Sequence, residues 1–226
     1  MDLLKYGIGI DMAMENFDVC LSVIDLKQQV VIKSRNSFRN DKKGFDLFYA
    51  WCSKNMKLPL PAVYLMEATG VYYEQLAWYL HGKQCDLSVV LPNKAKKYKE
   101  SLGLKSKTDR IDARGLAQMA CEQQCIKWQP LSDNIYMLRL VTRQIQNLSE
   151  QSIALSNQLH ALQHGMFRDK DIEKMLEKQV AVLKKNKALL KDKVQEIINA
   201  DPLLNPDSAI ENFLSICLIY KFVYEA

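Results

Sequence analysis

The sequence predicts an α/β protein, a mixed sheet with flanking helices, continued by a long α-helical coiled-coil hairpin. Three observations carry this reading. Three segments rich in β-branched residues follow one another at the N-terminus, joined by short polar turns. Two short apolar runs then alternate with helical patterns, as strands buried on both faces do. Beyond Ser132, apolar residues recur at alternating spacings of three and four along two long stretches.

The elements read in order as follows. Lys5 to Ile10 alternates Tyr6, Ile8 and Ile10 with Gly7 and Gly9, and stops at Asp11. Asp18 to Asp25 and Gln29 to Ser34 complete an antiparallel meander, because their connections are too short for a crossover. Asp41 to Lys54 is a helix, with Phe45, Phe48, Tyr49 and Cys52 on one face and Asn40 or Asp41 as its cap. Ala62 to Met66 is a buried strand that runs into Glu67-Ala68-Thr69-Gly70, and a helix follows from about Val71 to His81. Leu87 to Leu91 is a further buried strand closed by Pro92, and TDRIDARGLAQMA opens a third helix. The resulting order, β-β-β-α-β-α-β-α, places a meander at one edge and parallel strands after it.

The last third is helical. Leu138, Val141, Ile145, Leu148, Ser152, Leu155, Leu159, Leu162 and Met166 form one seam, and Leu176, Val180, Leu183, Lys187, Leu190, Val194 and Ile197 form another, separated by a turn at 165–169. Matching seams of this kind pair as an antiparallel hairpin or zip to a second chain, so a homo-oligomer through the coiled coil is expected. The domain reading is 1–125 for the α/β part, 132–200 for the helical region and 201–226 for the remainder.

Composition narrows the function classes. Of 226 residues, 48% are apolar and 25% charged, which excludes a disordered or fibrous chain. The longest uncharged run near the C-terminus, Asn212 to Tyr220, is half of what a bilayer span needs, and the N-terminus lacks a basic-then-apolar signal layout. A cytoplasmic protein without a membrane association is expected. The six cysteines contain no CxxC pair, and most sit beside apolar neighbours as small hydrophobes. Within residues 93–115, Lys94, Lys96, Lys97, Lys99, Lys105, Lys107, Arg110 and Arg114 stand against only three acids, a surplus equal to the +5 of the whole chain. Such a concentration is the electrostatic footprint of a protein that holds a phosphate backbone.

Four acids fall at telling places. Asp11 ends the first strand, Glu67 ends the first strand after a helix, and Asp109 and Asp112 share a face at a helix start. Carboxylates converging at strand ends repel one another unless a divalent cation bridges them, and oxygen donors suit Mg²⁺ or Mn²⁺. Two such ions can clamp the attacking and leaving oxygens of a phosphodiester.

GIGID at 7–11, MEATGVYYEQLAWYL at 66–80 and KSKTDRIDARGLA at 105–117 closely resemble the DEDD transposases of bacterial insertion sequences, relatives of pilin-gene invertases. The resemblance runs in order and spacing from residue 1 to about 200. It implies a ribonuclease H-like, RuvC-like catalytic domain with Asp11, Glu67, Asp109 and Asp112 as its catalytic and metal-binding tetrad. It also implies action on DNA with a structured noncoding guide RNA in the bacterial cytoplasm, and a coiled coil leading to a C-terminal domain with a serine nucleophile. After residue 200 the expected Pro-Gly-Ile-Gly turn is replaced by CLIYKFVYEA, so 201–226 reads as an aberrant remnant and the complete reaction as beyond this chain. A non-catalytic nucleic-acid-binding or coiled-coil interaction remnant is the alternative. An actin-like nucleotide-binding domain would need a glycine-rich phosphate loop after Asp11, where Met12 and Ala13 stand instead.

Overall fold

The first strand, β1 (Leu3–Met12), organises everything around it. A computed structural model of the chain describes residues 2–103, 109–202 and 204, and for 109–111 the backbone without side chains. β1 pairs antiparallel with β2 (Asn16–Asp25), which pairs antiparallel with β3 (Val30–Arg39). On its other side β1 pairs parallel with β4 (Ala62–Glu67), and β4 pairs parallel with β5 (Asp86–Val90). The sheet order is therefore β3-β2-β1-β4-β5, a meander at one edge and parallel strands at the other, as the sequence predicts.

Strand alternation sends the two faces of this sheet to different helices. Tyr6, Ile8, Ile10 and Met12 point to one side, with Phe17, Val19, Leu21 and Val23 of β2 beside them. Phe45, Phe48 and Cys52 of α1 (Lys42–Asn55) and Leu76, Ala77 and Leu80 of α2 (Glu74–Gly82) close over them. Phe17 meets Phe48 edge to face at 5.4 Å, and burying a side chain of this size stabilises by about 1.5–3 kcal/mol. Asp41 starts α1 by accepting the Gly44 N–H at 2.8 Å. α2 begins at Glu74, three residues after the expected Val71, because Gly70 takes a left-handed φ of +56° and residues 71–73 form a turn.

The opposite face carries α3 (Pro92–Ser101) and α4 (Asp109–Glu122). Here Leu65, Val90, Ala95, Leu116, Met119 and Ala120 form one cluster, and Cys20, Ala113 and Ala117 another. α4 sits directly on the glycines of β1: a Cβ on Gly9 would collide with the Ala113 and Ala117 backbone, and one on Gly7 with Ala117 and the Cys121 thiol. The alternating Gly-Ile-Gly is thus a cradle on one face and a core strip on the other. α3 was not among the expected elements; Pro92 at its first position starts it, and its inward positions are few.

The chain divides into two compact units, Met1–Pro130 and from Leu131 onward. In the first, the Trp128 N–H donates to the Leu87 carbonyl at 2.7 Å and its ring meets Trp78 and His81. The second consists of two long helices, α5 (Asp133–His164) and α6 (Lys170–Ala200). They pack together through Leu138, Val141 and Ile145 against Val194 and Ile198, so they run antiparallel. The expected seam positions are the less exposed ones, deepest at this end, whereas Met166 lies past the helix and is exposed. Ser132 caps α5 and Asp169 caps α6, and Arg168 grips Glu173 with two hydrogen bonds of 2.7 and 2.8 Å. The five described cysteines are free thiols, and Cys217 lies outside the described residues, as does nearly all of 201–226.

Candidate functional site

Register and alternation bring two of the predicted acids, Asp11 and Glu67, to adjacent strand ends. β1 and β4 run parallel with Ile10 beside Met66, so Asp11 and Glu67 follow as neighbours at the C-terminal ends of their strands. Asp11 has the parity of Gly7 and Gly9, and Glu67 that of Val63 and Leu65, so both belong to the face that α4 covers. Asp112 precedes Ala113, the residue that lies on Gly9. The close approach that the two glycines permit therefore also sets how near Asp112 comes to the strand ends.

The side chain that joins these acids is a lysine. Lys99 Nζ on α3 donates to Asp112 Oδ1 at 2.7 Å and to Glu67 Oε2 at 3.4 Å. The three side chains are only 16–19% exposed. Burial on its own lowers a lysine pKa, but the hydrogen bond to Asp112 and the charges of both carboxylates outweigh it and hold Lys99 above the ordinary lysine value. Asp109 is the first residue of α4, and its side chain lies outside the described residues. Among the described residues, no group of three or more His, Cys, Asp or Glu gathers closely enough to hold a metal ion.

A divalent cation nevertheless suits the donors present. Glu67 and Asp112 come from two different elements and already turn their oxygens onto one positive charge. Directly across the antiparallel pair from Asp11 stands Asp18, on the same face, an acid that sequence reasoning did not single out. The signal for Asp18 was available: three residues separate β1 from β2, a connection short enough to set the register. Asn40, one of the two expected caps of α1, leaves that role to Asp41 and instead donates its side-chain N–H₂ to the carbonyls of Ala13 and Tyr72 at 3.0 and 3.1 Å. It ties together the two loops that leave the strand ends carrying Asp11 and Glu67.

The predicted basic residues divide by position. Lys94, Lys96 and Lys97 on α3 and Arg114 on α4 are exposed, and Lys96 makes only a loose 3.9 Å pair with Glu100. Among the described basic residues of this segment, Lys99 alone turns inward, four residues after the buried Ala95. Lys105, Lys107 and the Arg110 side chain lie outside the described residues.

A mixed sheet with acids at the C-terminal ends of adjacent parallel strands, roofed by a helix bearing another acid, defines an α/β protein with an oxygen-donor site at its strand ends. A family profile narrows this class: the profile of IS110-type DEDD transposases, described as a transposase, matches residues 8–168, and the chain belongs to that family. The pilin gene-inverting proteins of Moraxella lacunata and Moraxella bovis are each 31% identical to it over 158 residues, 70% of this chain and 47% of theirs. The chain spans about half the length of these relatives. Among solved structures, Thermus thermophilus RuvC superimposes with a TM-score of 0.37 at 11% identity, over 49% of this chain and 89% of that one. RuvC in complex with a Holliday junction substrate gives 0.36 at 10% identity, over 49% and 89% of the two chains. The yeast mitochondrial Holliday junction resolvase gives 0.36 at 14%, over 49% and 76%. Scores of this size mark a partial likeness.

Proposed function

We propose that this chain carries the RuvC-like, ribonuclease H-like catalytic domain of a transposase or recombinase from a bacterial insertion sequence, acting on DNA with a structured RNA as guide. The observation that carries the reading is the convergence of Glu67 and Asp112 on one cation position beside Asp11, in a chain of the DEDD transposase family. The β3-β2-β1-β4-β5 order supports the fold assignment, which the sequence resemblance independently suggests.

In this reading Asp11, Glu67, Asp109 and Asp112 hold Mg²⁺ or Mn²⁺. The bound ion supplies charge stabilisation at the attacking and leaving oxygens of a phosphodiester. The chain's own residues do the rest. Asn40 holds the loops beside the site in place, Gly7 and Gly9 keep α4 against β1, and Lys94, Lys96, Lys97 and Arg114 receive the phosphate backbone, with Lys105, Lys107 and Arg110 in the same segment. The helices of 132–200 serve as a coiled coil that joins copies of the protein, and the reaction takes place in the bacterial cytoplasm. Among the described residues no helix is long and apolar enough to cross a membrane.

Calorimetric titration of Mn²⁺ into the chain and into Asp11→Ala tests the metal assignment. The expected result is a binding heat that the substitution removes or strongly weakens. Equal heats from both proteins would take Asp11 out of the site.

A further inference from the structure

We propose that the Lys99 ammonium is a built-in competitor for the cation position of this site: it holds Glu67 and Asp112 together in the metal-free chain, and a divalent ion enters only as Lys99 leaves. The inference rests on the reading above that Glu67 and Asp112 are metal ligands.

The placement of Lys99 is not that of a casual surface pair. Its side chain is 16% exposed and reaches two carboxylates from two other elements, one at 2.7 Å and one at 3.4 Å. The helix that carries it is fastened down on both sides of that position. Ala95, one turn earlier, is fully buried, and Tyr98, the preceding residue, donates its hydroxyl to Glu122 of α4 at 2.6 Å. Lys94, Lys96 and Lys97 on the same helix are exposed, so of the four lysines on α3 this one alone is committed to the acids.

The chemistry then forces a choice. A carboxylate oxygen bound to Mg²⁺ sits about 2.0–2.1 Å from the ion. An ammonium hydrogen-bonded to the same oxygens would stand within a few ångströms of two positive charges in a partly covered site, where that repulsion is poorly screened. Lys99 must therefore swing out on its four-carbon stem, which is long and flexible enough to do so. Without the ion, its charge relieves the repulsion between Glu67 and Asp112. With the ion, the relief is redundant. The cost of breaking two charge-assisted hydrogen bonds is subtracted from the intrinsic affinity of the acids for metal.

The test is Mn²⁺ binding to the full chain, measured by calorimetry and by the melting-temperature shift, in wild type, Lys99→Met, Lys99→Gln and Lys99→Arg. The expected result is that the Met and Gln variants bind Mn²⁺ at least about tenfold more tightly than wild type. They should melt lower than wild type without metal and gain more from Mn²⁺. The Arg variant, which keeps the charge, should stay close to wild type. The Gln variant carries the comparison if the Met variant does not fold. Wild-type or weaker affinity in the uncharged variants overturns the proposal. Asp112→Asn separates the two levels: Mn²⁺ binding that this substitution leaves unchanged overturns the metal-site reading itself, as does the absence of binding in every variant, and the proposal falls with it.

Discussion

Gly9 shows how much of the site depends on one missing methyl group. A Cβ there would meet the backbone of Ala113 and Ala117, which cannot step aside as a side chain could, so α4 itself would have to move. Gly9→Ala is expected to cost about 1–3 kcal/mol, the range for overpacking a tight interior, and to weaken Mn²⁺ binding because Asp112 rides on the displaced helix. Urea unfolding and the Mn²⁺ titration check the two effects. Gly82 is the control: nothing lies within 4 Å of its added Cβ, and it ends α2, so Gly82→Ala should be neutral or stabilising by no more than about 1 kcal/mol. The same scale shows what the sequence reveals. The strand ends at Asp11 and Glu67 are legible because an alternating run, Lys5 to Ile10, and a continuous apolar run, Ala62 to Met66, each break off just before an acid. Lys99 is not, because it sits among seven other cationic residues and only its distance of four from Ala95 separates it from them. Asp18 is hidden for a different reason: its place opposite Asp11 comes from cross-strand register, not from its own neighbours in sequence.

At the scale of elements, the helices with a clear apolar period are legible and α3 is not. Its inward side is little more than Ala95, Tyr98 and the Lys99 stem, so no apolar stripe announces a helix. What holds it is tertiary: the Tyr98–Glu122 hydrogen bond and the Lys99 pair of carboxylates. The start of α6 offers a cleaner case of local electrostatics. The two hydrogen bonds from Arg168, foremost, hold the Glu173 carboxyl below the ordinary glutamate value. A depressed carboxylate contributes stability that is fully present above its unfolded pKa, about 4.3, and is lost as the pH falls through the lower folded value. Glu173→Gln should therefore lower the melting temperature of the helical signal at pH 6–8, and the difference from wild type should shrink toward zero near pH 3 and below. Circular dichroism melts across that range decide it, and a difference that persists at low pH would show that packing, not the ion pair, is what Glu173 provides. Deeper in the same pair of helices, Ile145 is fully buried against α6. Ile145→Ala should cost about 2–5 kcal/mol in the same melts, more than any change at an exposed position such as Ile153.

Over the whole molecule, charge and core are divided between different jobs. The apolar residues of 1–130 build a three-layer unit with its acids on one edge, while the cationic surplus of the entire chain is confined to 93–115, from the start of α3 into the first half of α4. In the proposed reading, acids that carry chemistry and lysines that hold a polyanion must lie near one another without neutralising one another. On α3 the exposed Lys94, Lys96 and Lys97 keep their charge for solvent or a partner, and of its four lysines Lys99 spends its own on the acids. If the patch holds a phosphate backbone, binding must be driven by release of condensed counterions, with a slope of log K against log salt of roughly −0.9 per neutralised phosphate on duplex DNA and about −0.7 on single strands. Replacing Lys94, Lys96 and Lys97 together by Ala should weaken binding to DNA of any sequence and make that slope shallower by roughly 2–3. Because all three side chains are exposed on α3, the triple variant should melt close to wild type, which separates a lost contact from a lost fold. Binding measured over a series of salt concentrations, wild type beside the triple variant, gives both slopes, and identical slopes would show that the nucleic acid does not lie on α3.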